Sequence, residues 1–238
     1  MTRVDSKNLE YAVGEQRYVG SLFKNPDATA AVALLPDWRG QSGLAREHAH
    51  YLVGLGCTVV IADLYGDGFN PDSPSQVGPM VQRLIANRDQ GVKALSACIA
   101  RLRQEIPSQL PLLCLGYSAG GMIALDYGRS KADVAGIILC TALLKTAAPG
   151  METRIRAPVL ILQGTQDEVS PMDVIGSVVA EMDAAGNDFR LELYGRAHHA
   201  FDNPEVGTDP RARLVYSPAA AERSRRAIAE FLRERLRA

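Results

Sequence analysis

The stretch Leu110-Pro111-Leu112-Leu113-Cys114-Leu115-Gly116-Tyr117-Ser118-Ala119-Gly120-Gly121-Met122-Ile123-Ala124-Leu125 decides the fold. Its first part is a short, continuously apolar run, the signature of a strand covered on both faces. Its last part opens an amphipathic segment that continues to Arg129, with a helix expected to start near Gly120. Between them stands a Gly-x-Ser-x-Gly string. Such a string is short enough to recur by chance, so its weight comes from the setting: a strand that runs straight into a helix through a serine flanked by glycines. In so sharp a turn the serine takes a strained backbone conformation, and a side chain two residues away on either side would strike neighbouring backbone.

The same alternation extends in both directions. Short apolar runs at 30–35, 58–62, 134–140, 159–163 and 189–194 alternate with amphipathic stretches at 43–55, 92–105, 122–129, 171–184 and 218–237. Strands that are apolar on both faces need helices on both faces, and right-handed crossovers supply them. Ahead of this pattern, 8–13 and 16–23 flank Gly14-Glu15 and predict an antiparallel hairpin. The fold class is therefore α/β: a mostly parallel central sheet with helices on both faces and an N-terminal β-hairpin, in a single domain over residues 1–238. In the last helix Ile228, Phe231, Leu232 and Leu236 form the apolar stripe, and Arg225, Arg226, Arg233 and Arg237 a solvated face. Residues 65–80 break the rhythm with Gly66, Gly68, Gly78, Pro71, Pro74 and Pro79. They predict an irregular loop after a strand end, forming a wall or lid of the ligand pocket.

Composition narrows the function classes. At 238 residues and 47% hydrophobic content the chain can bury a sizeable core, roughly three quarters of its unfolded surface. Lys and Arg number 26 against 27 Asp and Glu, a net charge of −1, which suggests neither nucleic acid nor a membrane surface as partner. No apolar run approaches the ~20 residues of a bilayer span, and the opening residues lack a secretory leader, so a cytoplasmic location is expected. Cys57, Cys98, Cys114 and Cys140 sit in apolar stretches without metal-ligand spacing and read as small core residues. No metal site is expected.

A serine hydroxyl is hardly ionised near neutrality, so Ser118 needs a base, and imidazole is the base suited to that pH. The imidazole in turn needs an acceptor that fixes its tautomer and stabilises its cation. Both partners follow in order. Asp167 ends Gly164-Thr165-Gln166-Asp167 just past the strand at 159–163, with Glu168 beside it as a competing acceptor. A His198-His199 pair follows the strand at 189–194; on spacing alone either could be the base. The order Ser, Asp, His is that of α/β-hydrolases, with all three on loops of one sheet edge. The charge that develops on attack needs N–H donors, normally the amide after the nucleophile, here Ala119, and one from the loop after an early strand. Within Pro36-Asp37-Trp38-Arg39-Gly40, Trp38 is the candidate, and Asp37, Arg39, Tyr65 and Met80 are expected along the substrate pocket.

Asp37-Trp-Arg-Gly40, Ala62-Asp-Leu-Tyr-Gly66, Gly116-Tyr-Ser-Ala-Gly-Gly121, Gly164-Thr-Gln-Asp167 and the segment from Tyr194 to Phe201 with Asn203-Pro204 together resemble the dienelactone hydrolase family. The resemblance covers almost the whole chain in order and spacing. It implies a catalytic histidine directly before Ala-Phe, which is His199, an oxyanion amide from Trp38, and hydrolysis of dienelactones or related small esters without a cofactor. Three positions depart from the family. Ser118 stands where the nucleophile is usually cysteine, Asp37 where glutamate is frequent, and Asn203 where an arginine helps hold the substrate carboxylate, so dienelactone itself does not follow from the resemblance.

The expected function is hydrolysis of small carboxylic esters or lactones by Ser118, His199 and Asp167. The alternatives are another activated ester at the same site, such as a phosphotriester or thioester, and a catalytically weakened binding protein in which serine has replaced a catalytic cysteine. A small-molecule substrate and a monomeric or homodimeric state are expected.

Overall fold

Side-chain alternation along the strands of the computed structural model sorts the apolar residues into two cores. The structure describes residues 5–71, 73–130 and 132–236, without the side chains of 74 and 75. Residues 1–4 and Arg237 lie outside the described residues. In β3 (Ala30–Leu35), Ala31, Ala33 and Leu35 face one core while Ala30, Val32 and Leu34 face the other. The first core is covered by α3 (Arg88–Arg103), α4 (Ser118–Arg129) and α5 (Met172–Ala184), through Leu95, Cys98, Ile123, Val178 and Met182. The second is covered by α1 (Gly43–Gly54) and α6 (Pro218–Arg235), through Ala49, Leu52, Ile228, Phe231 and Leu232.

The remaining strands are β1 (Ser6–Val13), β2 (Gln16–Phe23), β4 (Cys57–Ile61), β5 (Leu112–Tyr117), β6 (Gly136–Cys140), β7 (Val159–Gly164) and β8 (Phe189–Tyr194). They form one eight-stranded sheet in the order β1-β2-β4-β3-β5-β6-β7-β8. The hairpin β1-β2 is antiparallel and joins β4 antiparallel. From β4 onward every pairing is parallel. Register then fixes the site: Leu35 pairs Gly116, Tyr117 pairs Cys140, and Gly164 pairs Tyr194. Pro36, Ser118, Thr141 and the loops carrying Asp167 and His199 therefore leave the sheet at one edge, where open α/β sheets place their ligands.

The segment 65–80 differs from its expected form. It contains the start of α2 (Pro74–Ala86). Pro74 occupies the first helical turn, where a missing N–H costs nothing, and Gly78 and Pro79 lie on the exposed side. Val77, Met80, Val81, Leu84 and Ile85 keep a helical spacing that outweighs the breakers. The helix after the elbow begins at Ser118 rather than near Gly120. In α6 the stripe ends one residue early: Ile228, Phe231 and Leu232 are buried, but Leu236 caps the helix and is exposed.

All twelve residues of α4 are buried. Its last turn is fastened by charge. The Asp126 carboxylate accepts from Arg88 Nε (2.5 Å) and Arg129 Nη1 (2.8 Å), and Arg129 donates onward to the Lys145 carbonyl (3.0 Å) and to Glu181. The four cysteines are free and buried. Among the described residues, no helix is long and apolar enough to cross a membrane.

Candidate active site

Ser118 is both the first residue of α4 and a non-glycine at φ +48°. A left-handed conformation of this kind costs of order 1–3 kcal/mol and persists only where its surroundings enforce it. The enforcement is visible at the glycines. A Cβ at Gly116 would stand 2.6 Å from Gly121 Cα, one at Gly120 2.5 Å from the Leu35 carbonyl oxygen, and one at Gly121 2.5 Å from Ala142 Cβ. The turn closes so tightly that the serine hydroxyl is driven out over the sheet edge.

There it meets its partners. Ser118 Oγ lies 2.9 Å from His199 Nε2, and His199 Nδ1 lies 2.8 Å from Asp167 Oδ2. All three side chains are buried. The other Asp167 oxygen accepts from the amides of Val169 (2.8 Å) and Ser170 (2.9 Å), and Gln163 Nε2 approaches Oδ2 at 3.4 Å. Bonds to both oxygens fix the carboxylate in one orientation, as a histidine orienter must be fixed. Glu168, the competing acceptor, is exposed. His198 has no side-chain hydrogen bond to the triad among the described residues, and its Nδ1 is buried without a hydrogen-bond partner there.

The loop after β3 forms the facing wall. Asp37 and Trp38 line the cavity above Ser118, together with Pro36, Leu44, Ala45, His48, Tyr117, Thr141, Ala200 and Asp202. The Trp38 N–H donates to no acceptor among the described residues, and α4 has no side-chain cap, so its first amides, Ala119 included, keep free N–H groups. The wall is braced from outside. Arg39 clamps Asp37 (Nη2 to Oδ2, 2.8 Å), reaches Glu205, and lies 5.5 Å from the centre of the Trp38 ring. The Tyr65 hydroxyl donates to the Trp38 carbonyl at 2.7 Å.

Expected pocket residues thus separate by place. Asp37 lies on the Ser118 cavity, but Arg39, Tyr65 and Met80 do not line it. Arg39 is turned outward by its two carboxylate partners into a cleft with Ser42, Asn70 and Glu205. Tyr65 and Met80 line a further cavity between the hairpin and α2, with Tyr18, Arg83 and Asn87. Tyr65 acts on the site only through the backbone it holds. Its own loop is organised by buried Asp63, which accepts from the amides of Val19, Tyr65, Gly66 and Gly68 at 2.8–3.0 Å.

The cavity also gathers residues the sequence reading passed over. His48 of α1 stacks on Tyr117 with ring centroids 4.2 Å apart and brings Nε2 to 3.5 Å from Asp202 Oδ2. Thr141, another non-glycine in the left-handed region (φ +45°), donates its hydroxyl to Asp202 Oδ1 at 3.3 Å. Burial lowers the His48 imidazole to about 3, helped by the nearby Arg225 and Arg39 charges, so it is neutral. Burial raises the Asp202 carboxyl to about 6, with Asp37 adding repulsion. Among the described residues, no three His, Cys, Asp or Glu side chains are grouped to hold a metal ion.

Known proteins match this arrangement at several levels. The dienelactone hydrolase family model matches residues 19–236. An uncharacterized protein of Caenorhabditis elegans is 28% identical over 123 residues, 50% of this chain and 77% of that protein. Among solved structures, the protein named m3DLH superposes with a TM-score of 0.88 at 29% identity, covering 98% of both chains. A dienelactone hydrolase-like promiscuous phosphotriesterase from metagenomic libraries gives a TM-score of 0.87 at 23% identity, over 96% of this chain and 97% of that one. With a family model spanning nearly its whole length and a serine, histidine and aspartate in contact at the expected sheet edge, this chain is a hydrolase and belongs to the dienelactone hydrolase family.

Proposed function

We propose that the protein hydrolyses small carboxylic esters or lactones by acyl transfer through Ser118. The observation that carries this reading is the unbroken relay from Ser118 Oγ through His199 (2.9 Å) to Asp167 (2.8 Å). His199 takes the serine proton as Oγ attacks the carbonyl carbon, then gives it to the leaving alcohol. Asp167 holds the ring and stabilises its cation. The Trp38 and Ala119 amides, which donate to no acceptor among the described residues, receive the oxyanion. Water, activated by the same histidine, then splits the acyl-serine. The cavity is small, which favours short acyl chains, and a cytoplasmic setting is part of the same proposal.

A panel of p-nitrophenyl esters of increasing acyl length, run with and without a fluorophosphonate probe, tests this. The expected result is turnover that peaks at short chains, is abolished by the probe, and leaves the label on Ser118. Turnover that survives complete labelling of Ser118, or no turnover on any ester, overturns it.

A further inference from the structure

The Ser118 cavity holds a second buried carboxylate that the acyl-transfer relay does not use. Asp202 is 7% exposed and lines that cavity beside His48, Tyr117 and Thr141. An ionised carboxylate has about four acceptor positions. Among the described residues, those of Asp202 meet the Thr141 hydroxyl at a long 3.3 Å and its own amide, while His48 Nε2 stands off at 3.5 Å. Acceptor capacity is left over on the wall of the cavity that holds Ser118 and His199.

The surroundings are built around it. Thr141 is β-branched, yet its backbone is held at φ +45°, a conformation such residues avoid, and the result is a hydroxyl aimed at Asp202. The Tyr117 ring lies flat against His48 (interplanar angle 14°) and fixes the imidazole beside the carboxylate. Charge selects what can enter. His48 beside the carboxylate is neutral, so Asp202 has no cation held against it. Asp37 acts on Asp202 itself, and the two carboxylates together oppose an anion. A neutral hydrogen-bond donor avoids that repulsion and suits the spare acceptor positions.

We infer that Asp202 is a specificity determinant that accepts a hydrogen bond from a hydroxyl of the substrate, so that hydroxylated short esters or lactones are the preferred class. This rests on the acyl-transfer reading above and names its substrate. Burial keeps this carboxyl above its ordinary range because Thr141, at 3.3 Å, and the other groups around it offset the lost water only in part.

The test compares p-nitrophenyl β-hydroxybutyrate with p-nitrophenyl butyrate, which share a leaving group and chain length. Wild-type kcat/KM is expected to favour the hydroxy ester by about tenfold, as for a hydrogen bond to a charged group. Asp202→Ala should bring the ratio to near one, and Thr141→Val, which only loosens the carboxylate, to an intermediate value. General damage to the fold lowers both rates and cancels in the ratio. A wild-type ratio near one, or one unchanged in Asp202→Ala, overturns the inference. Failure of the acyl-transfer reading shows differently, as no turnover of either ester. In that event the binding of methyl β-hydroxybutyrate against methyl butyrate to Ser118→Ala protein, measured by ligand-observed NMR, decides: a hydroxyl preference lost with Asp202→Ala supports the role, and equal binding refutes it.

Discussion

Asp167 and Asp202 lie in the same active site, at 3% and 7% exposure, and have opposite surroundings. Asp167 is followed by a turn whose amides, Val169 and Ser170, fold back onto it, with His199 and Gln163 on its other oxygen. Asp202 is followed by Asn203 and Pro204. The residue placed to donate as Val169 does is a proline with no N–H, and the next amide, that of Glu205, is taken by the Asn203 side chain at 3.0 Å. Backbone supply, rather than burial, therefore separates a carboxylate that is finished within the protein from one left open. The first can hold a histidine still; the second can read a ligand.

Removing a member of the relay is the harshest way to probe the finished side. His199→Ala and Asp167→Asn should each reduce kcat on a short p-nitrophenyl ester by at least ~10³-fold. His198→Ala, off the relay, should stay within about threefold. Similar losses from both histidines would show the base misassigned. Next in size is the fate of an activated phosphotriester. Attack by Ser118 leaves a phosphoserine ester with a poor leaving group, so turnover should stop after about one equivalent, seen by mass spectrometry as an adduct on the peptide spanning the elbow. Ser118→Cys should continue to turn over, because a phosphorylated thiol is a better leaving group. Sustained turnover by the serine enzyme without an adduct contradicts this.

The open side should show in stability. A carboxyl at about 6 when folded and near 3.8 when unfolded costs nothing well below 3.8, where both states are protonated. As pH rises through 3.8 the unfolded state ionises first and stability falls, and the loss is complete once pH has passed about 6, roughly 3 kcal/mol. Asp202→Asn should then raise Tm by several degrees at about pH 8 and leave it unchanged near about pH 3, read by calorimetry. Asp167→Asn should give no such gain. The smallest expected effect is that of chelation: with no grouped ligands among the described residues, exhaustive EDTA treatment should leave ester turnover intact. A loss restored by zinc would contradict a metal-free mechanism.

What the sequence makes legible follows the range of the forces involved. The strands, the hairpin turn at Gly14 and the elbow glycines are local patterns, and their neighbours in the chain enforce them. The order of Ser118, Asp167 and His199 is readable because each follows its strand by a few residues, so the sheet register brings them together. The helix α2 is hard to read in the sequence because its prolines and glycines sit where a helix tolerates them, and the period of Val77, Met80, Val81, Leu84 and Ile85 is the better signal. His48, Thr141 and Asp202 had no local signature. One lies on a helix, one past β6 and one beyond His199, and only packing unites them. Of the three, Asp202 left a trace: an acidic residue between the Ala200-Phe201 pair and a proline that cannot cap it.

The helix α4 has no face turned to solvent, and its far end is held by Arg88 and Arg129 on Asp126. The hydrogen-bonded amides of such a buried element exchange with solvent chiefly through large openings of the fold. The nucleophile is attached to the end of this element. Its position is then not something that frays on warming ahead of the rest: deuterium uptake across 122–129, the amides bonded within the helix, and loss of ester turnover should follow the same unfolding transition, and this enzyme should lose its activity and its structure as a single event.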